Sequence, residues 1–177
     1  FIIYDGIIIH GEYIGDLNFI ERLKQTECVT KAPPIPGIKL KMKTMWNLSQ
    51  FKELYNKKFD YDIDGYIFTP VDEPIRMETH ETMFKWKPLD RITMDFIVTN
   101  SKLYVWDRKH GYIFIQDSNY SQYEGKIIEC KLDESKKWSL VKVRNDKTFP
   151  NNRRTYLRTL ANISENIKPE EFFSYKK

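Results

Sequence analysis

The chain opens on an apolar run, FIIYDGIII, whose density of isoleucine predicts a buried strand over residues 1–9. The polar HGEYIG that follows reads as a turn. Residues 16–25, DLNFIERLKQ, then place Leu17, Ile20 and Leu23 at helical spacing, with Asp16 positioned to cap a short amphipathic helix. KAPPIPG carries three prolines and a glycine and marks a loop. Beyond it, IKLKMKTMW alternates Ile38, Leu40 and Met42 against Lys39, Lys41 and Lys43, the signature of a half-buried strand. Ser49 then offers a cap to a second helix that buries Phe51, Leu54 and Tyr55.

DIDGYIFTP reads as a turn running into a strand, and a polar loop delivers the chain to MFKWKP. After RITMDFIVT the texture changes to short strands, KLYVWD, GYIFIQD, KIIECKL and WSLVKVR. Turn residues at 107–111, 117–121 and 133–135 separate them, which predicts a small antiparallel barrel or sandwich. The tail places Tyr156, Leu160, Ile163 and Ile167 at helical spacing and stops at Pro169. The expectation is an α+β chain of two domains, 1–98 and 99–177, the second closing with a helix. No internal repeat or low-complexity segment is present.

Composition narrows the chemistry only slightly. With 29 Lys plus Arg against 25 Asp plus Glu, and a pI near 8.9, the chain is mildly basic, which suits a polyanionic partner without demanding one. Cys28 and Cys130 lie far apart with no CxxC pair, so neither a disulfide framework nor a zinc site is indicated, and a reducing setting is expected. His10, His80 and His110 are isolated in sequence. No apolar run approaches the roughly 20 residues that span a bilayer, so no membrane partner is expected. The start directly in FIIYD, with no initiating Met, is expected of a piece of a longer polypeptide.

Candidate chemistry centres on FKWKP. In an extended strand residues i and i+2 share a face, so Lys85 and Lys87 converge on one target with Trp86 anchored behind them. Two like charges side by side favour an anion between them, and phosphate is the natural candidate. The alternative is an edge strand that wears lysines against aggregation. Asp64–Gly65 and RNDK at 144–147 are, singly, an ordinary turn and a charged strand end.

Their order carries more. IIYD, DGYIFTP, FKWKP, ITMDF and GKIIECKLDESKKWSLVKVRNDKTFPN follow one another in an order and approximate spacing that resembles the covalent nucleotidyltransferase superfamily, and most closely the mRNA capping guanylyltransferases. The resemblance covers nearly all of the chain. It implies the C-terminal half of a nucleotidyltransferase domain built on antiparallel sheets, followed by an OB-fold β-barrel with a C-terminal helix. It also implies a two-step reaction: a lysine attacks the α-phosphate of GTP, pyrophosphate leaves, and GMP passes from the lysine to a 5′-diphosphate RNA end.

Residue by residue, the resemblance implies that Lys85 and Lys87 clamp the α-phosphate, and that Arg144 and Lys147 grip the β- and γ-phosphates, with Asp146 the acidic position between them. Asp64, followed by Gly65, matches the carboxylate that supports Mg2+ or Mn2+ near the phosphates. Asp95 matches the family's acidic residue in its TMDF-like motif. Tyr4 occupies the position of the aromatic that stacks on guanine, and Lys43 is a candidate donor to guanine O6, with a solvated lysine the equal alternative. RNA triphosphatase, cap methyltransferase and RNA polymerase are the protein partners implied. Location would be the nucleus for a cellular protein, and the cytoplasm or virion for a viral one.

The family's nucleophile lies in a KxDG motif, and no KxDG occurs here; its DGE motif is also missing. Residues preceding Phe1, the missing N-terminal half of the domain, are therefore expected to carry the attacking lysine. Two other readings stay open: an ATP-dependent DNA or RNA ligase of the same superfamily, and a non-catalytic OB-type module that holds single-stranded RNA.

Overall fold

The computed structural model describes residues 1–33, 35–78 and 80–174. They form two compact units, one comprising residues 1–86 with the C-terminal segment from Glu170, the other Lys87–Pro169. The boundary expected near residue 98 instead falls within strand Thr93–Thr99, which belongs wholly to the second unit. Only after Pro169 does the chain return to the first unit.

In the first unit the opening apolar run is two short strands, β1 (Ile2–Ile3) and β2 (Ile8–Ile9), rather than one. The break is at Asp5–Gly6. Asp5 is drawn aside by a side chain 17 residues away, described below, and a Cβ on Gly6 would meet Thr26 Oγ1 at 2.0 Å. Nor is the run buried among the described residues, since Ile2 is 48% and Ile8 62% exposed. β2 turns back into β3 (Glu12–Tyr13) through His10 and Gly11, both at positive φ.

Helix α1 (Phe19–Thr26) is capped by Asn18, whose Oδ1 accepts from Glu21 N at 2.9 Å, and not by Asp16. Its buried face is Phe19, Arg22 and Thr26. The stripe expected from apolar spacing differs because Arg22 is buried by ion pairing, which a hydrophobic pattern does not register. The alternating lysine segment supplies only β4 (Lys41–Met42), which pairs in parallel with β1, a departure from the antiparallel sheets expected. The second helix, α2 (Phe51–Asn56), follows a 3₁₀ turn at Leu48–Gln50, so its entry is made by Asn47, whose N–H reaches Gln50 Oε1 at 3.1 Å, and not by Ser49.

Phe51 is 2% exposed and centres an aromatic cluster. β5 (Tyr66–Phe68) and β6 (Phe84–Trp86) form an antiparallel pair that brings Tyr66, Phe68 and Trp86 against it. Phe172 and Phe173 complete the cluster, which gives the C-terminal segment its place.

The second unit is a five-stranded antiparallel sheet of β7 (Thr93–Thr99), β8 (Lys102–Asp107), β9 (Gly111–Asp117), β10 (Ile127–Leu132) and β11 (Trp138–Val143). The strand order is β11-β10-β7-β8-β9. Alternation puts Met94, Phe96, Val98, Leu103, Val105, Ile128 and Cys130 on one face, all essentially buried, with Trp138 beside them. Helix α3 (Arg153–Glu165), capped by Asn152, covers that face with Tyr156, Leu160 and Ile163. It stops at Asn166, in the left-handed conformation, so Ile167 lies beyond it.

This is the OB-like architecture, though no backbone ladder closes the sheet into a barrel among the described strands. A side chain bridges the gap. The Gln116 amide, on β9, donates to Trp138 O at 3.0 Å and accepts from Trp138 N at 2.9 Å, as a neighbouring backbone would. No described helix is long and apolar enough to cross a membrane.

Candidate functional site

The outward face of the five-stranded sheet carries charge where strand alternation turns Asp95 and Glu129 away from the core, directly opposite one another on β7 and β10. Two acidic side chains facing each other demand counter-charge, and β11 with the turn after it provides it. Arg144 spans the group. Its Nε and Nη2 donate to Asp146 Oδ1 and Oδ2 at 2.8 and 2.7 Å, while Nη1 reaches Asp95 Oδ1 at 3.1 Å and Glu129 Oε2 at 3.3 Å. Lys147 Nζ donates to Asp95 Oδ2. Lys142 pairs with Glu129 at 3.3 Å, and Thr93 Oγ1 donates to Glu129 Oε1 at 2.8 Å.

Three cations and three carboxylates thus share one site, graded in depth. Asp95 is 4% exposed, whereas the Asp146 side chain is 66% exposed. The Arg144 guanidinium, beside Asp146, holds that carboxyl well below the usual range. Hydrogen bonding to Asp146 and the charges of Asp95 and Glu129 likewise hold Arg144 firmly protonated. Burial raises Glu129, but Thr93, Lys142 and Arg144 outweigh it and leave its pKa lowered.

Asn151 fixes the deep end. Its Oδ1 accepts from Asp95 N and its own N–H donates to Asp95 O, both at 2.8 Å, and its carbonyl accepts from Trp106 N at 3.0 Å. Asp95, Arg144, Asp146 and Lys147, expected as site residues, therefore meet in one cluster. Glu129, Lys142 and Asn151 belong to the same cluster and are not among the expected site residues, and Thr93, on the same strand face as Asp95, joins them. Glu129 looked like any outward strand residue, while the PN that ends RNDKTFPN was the available signal for Asn151.

In the first unit, Lys85 Nζ donates to Asp64 Oδ2 at 2.7 Å, and both side chains are about half exposed or more. Lys85 pairs with Ile67 across the β5–β6 ladder, and Gly65 lies between Asp64 and β5. Trp86, one residue on, turns to the other face and is buried in the aromatic cluster. Lys87 follows the end of β6 and is half-buried.

Tyr4 and Lys43 end up on adjacent segments. Ile2 pairs with Lys41 and Ile3 with Met42, and Lys43 N extends the ladder by donating to Ile3 O at 2.7 Å. Tyr4 is 69% exposed. Lys43 borders an open cleft with Ile20, Leu23, Leu40, Met42 and Met45, while Tyr4 is not among the cleft's lining residues. The segment bearing Tyr4 is anchored from below: Arg22, 2% exposed, donates through Nε and Nη2 to the two Asp5 oxygens at 3.0 Å each. Arg22 Nη1 also binds Leu17 O and Glu73 O. Apolar spacing does not signal this pair, because an arginine buried by ion pairing leaves no hydrophobic pattern.

Asp64, the residue expected to support a divalent cation, presents one carboxylate, which Lys85 engages, and the described residues contain no group of three or more His, Cys, Asp or Glu side chains that would hold a metal unaided. A lone carboxylate of this kind would hold Mg2+ only together with phosphate oxygens and water.

The profile of the "mRNA capping enzyme, C-terminal domain" matches residues 60–173, and that of the "mRNA capping enzyme, catalytic domain" matches residues 1–89. Among curated proteins, an mRNA-capping enzyme of Mus musculus is 25% identical over 205 residues, covering 99% of this chain and 34% of the relative. One from Caenorhabditis elegans is 28% identical over 154 residues, covering 72% of this chain and 24% of the relative. An mRNA-capping enzyme subunit alpha of Schizosaccharomyces pombe is 24% identical over 137 residues, covering 61% and 34%. The chain spans about a third or less of the length of these relatives.

Proposed function

The chain belongs to the mRNA capping enzyme family, and from that premise we propose that it is part of an mRNA 5′-guanylyltransferase that moves GMP from GTP, through a lysyl-GMP adduct, to the 5′-diphosphate end of RNA. The observation that carries the reading is the Asp95–Arg144–Asp146–Lys147 cluster, in which carboxylates hold two cationic side chains together on one sheet face.

Phosphoryl transfer leaves little covalent work to the protein; positioning and charge stabilisation dominate. In the first step a lysine nitrogen bonds to the α-phosphorus, the bond to the bridging oxygen breaks, and pyrophosphate departs with the electron pair. Lys85 and Lys87 are assigned to the α-phosphate oxygens. Arg144 and Lys147 are assigned to the β- and γ-phosphates, where a triphosphate replaces the carboxylates that now hold them. Asp95 and Asp146 keep the two cations oriented and neutralised until then. In the second step the terminal oxygen of the RNA diphosphate attacks the same phosphorus and the P–N bond breaks. Tyr4 is assigned to the guanine face and Lys43 to its O6.

Bound at Asp64, Mg2+ would supply charge neutralisation at the phosphates. The attacking lysine is placed in a KxDG segment outside these residues, since none occurs within them. Incubating the full-length protein with α-labelled GTP, and in parallel with α-labelled ATP, tests the proposal. Acid-labile GMP adduct that transfers to diphosphate RNA is expected; labelling by ATP alone would make it a ligase and overturn the reading.

A further inference from the structure

The outward face of the five-stranded sheet does not end at the ion cluster. Asp95 and Ile97 share that face of β7, about 7 Å apart along the strand, and Ile97 lies opposite Tyr104. From Tyr104 the face continues as a block of aromatic residues. Tyr104 and Trp106 on β8 lie across from Phe114 and Tyr112 on β9. Trp106, Tyr112 and Phe114 are 37%, 47% and 49% exposed, an unusual outlay of large aromatic surface on one hairpin. Their contacts with one another are edge to face, at centroid distances of 5.1 to 6.5 Å, and no two of the four are stacked.

The surroundings are basic. Lys102 places its ammonium 5.5 Å from the Phe114 ring centroid. Arg108 and Lys109 are exposed in the β8–β9 turn, and Arg153 and Arg154 are exposed at the start of α3, next to the bridge between Trp106 and Asn152. Beside the carboxylates of the ion cluster, which its own cations hold, the acidic residues of this hairpin are Asp107 and Asp117. Asp107 is occupied by the amides of Lys109 and His110, by His110 Nδ1 and by Arg153.

Exposed rings set in a cationic rim match the two requirements of single-stranded nucleic acid, faces for bases and charge for the backbone. We propose that Tyr104, Trp106, Tyr112 and Phe114 form a stacking platform for the first nucleotides of a single-stranded RNA, with Lys102, Arg108, Lys109, Arg153 and Arg154 on its phosphates. The inference rests on the guanylyltransferase reading for the identity of the RNA as the diphosphate acceptor. The platform adjoins the ion cluster on one continuous face, so an acceptor chain lies along β8 and β9 with its bases stacked and its sequence unread. Stacking accepts every base, which suits an acceptor defined by its end.

The test is an anisotropy titration of a fluorescent 5′-diphosphate single-stranded RNA of about 12 nucleotides, within the usual OB site size, onto the full-length protein. Trp106→Ala/Tyr112→Ala should weaken binding roughly tenfold or more, while Trp106→Phe/Tyr112→Phe retains it. Arg108→Ala/Lys109→Ala, whose side chains lie in an exposed turn, should weaken binding and reduce its salt dependence, which gives a second result that does not depend on ring packing. The proposal is overturned if both Ala pairs bind RNA as the wild type does, if the Phe pair fails as badly as the Ala pair, or if the wild type binds no RNA at low salt. The last result would leave the face to a protein partner. GTP labelling is scored separately on the wild type: absence of an adduct beside intact RNA binding would overturn the guanylyltransferase reading and spare the platform.

Discussion

Asp95 and Asn151 hold each other through two hydrogen bonds of 2.8 Å, Asp95 N to Asn151 Oδ1 and Asn151 N to Asp95 O, although 56 residues separate them. The contact fastens the segment after RNDK to the middle of the sheet and fixes the backbone that carries the cluster's buried carboxylate. Asn151→Ala removes an acceptor from a part-buried amide, at a cost of about 1–3 kcal/mol. Urea unfolding should show that loss with an unchanged m-value, whereas a midpoint equal to wild type would mean the contact is not structural.

Arg144 uses three nitrogens on three carboxylates, a fork geometry that lysine lacks. Arg144→Lys and Arg144→Ala should therefore both lower the rate of GMP labelling in the full-length protein, by about 10²-fold for Ala, with Lys recovering little of it. Full recovery by Lys would reduce Arg144 to a point charge.

The two cysteines should react very differently. Burial, followed by the charges of Asp95 and Glu129, pushes the Cys130 thiol up to about 12, while Cys28 is half-exposed with its sulfur 3.5 Å from His10 Nε2. A thiolate-selective reagent at neutral pH should label the native chain once, at Cys28, and twice only after denaturation. Native labelling of Cys130 would contradict the packed sheet face.

How far these features could be read from sequence depends on what produced them. Strands β8 to β11 arise from local alternation between turn residues, and all four are visible in the text of the sequence, whereas β7 joins their sheet from across the expected boundary. The same logic fails at the N-terminus, because the break after Tyr4 is set by Arg22, a distant side chain whose burial follows from ion pairing and not from apolarity. Capping erred for a related reason: Asn18 and Asn47 compete with nearby Asp16 and Ser49, and only the backbone path decides between them. The cluster residues Asp95, Arg144, Asp146 and Lys147 were legible as a motif. Glu129 was not, since its role depends on cross-strand register.

Asp133 gives a pH prediction with a definite sign. Hydrogen bonds from Ser135 Oγ and Ser139 Oγ, both 2.6 Å, and from Lys137 N at 2.9 Å lower its pKa from 3.8 to about 2. A folded value below the unfolded one means that this contribution to stability is complete above about pH 4 and is lost as pH falls through 2. Carboxyl carbon NMR should place the Asp133 midpoint near 2, and Asp133→Asn should flatten the acid limb of the stability profile. A midpoint near 3.8 would show that the β10–β11 turn does not hold the carboxylate.

The claim that Arg144 and Lys147 handle the leaving phosphates is tested most directly by the reverse of the first step. Pyrophosphate is added to purified, labelled GMP adduct of the full-length protein, and release of label as GTP is followed in wild type and in Arg144→Ala and Lys147→Ala variants. Rapid release from the wild type and retention of label by both variants is the predicted result. Release at wild-type rate from either variant adduct would contradict the assignment of that residue to the β- and γ-phosphates.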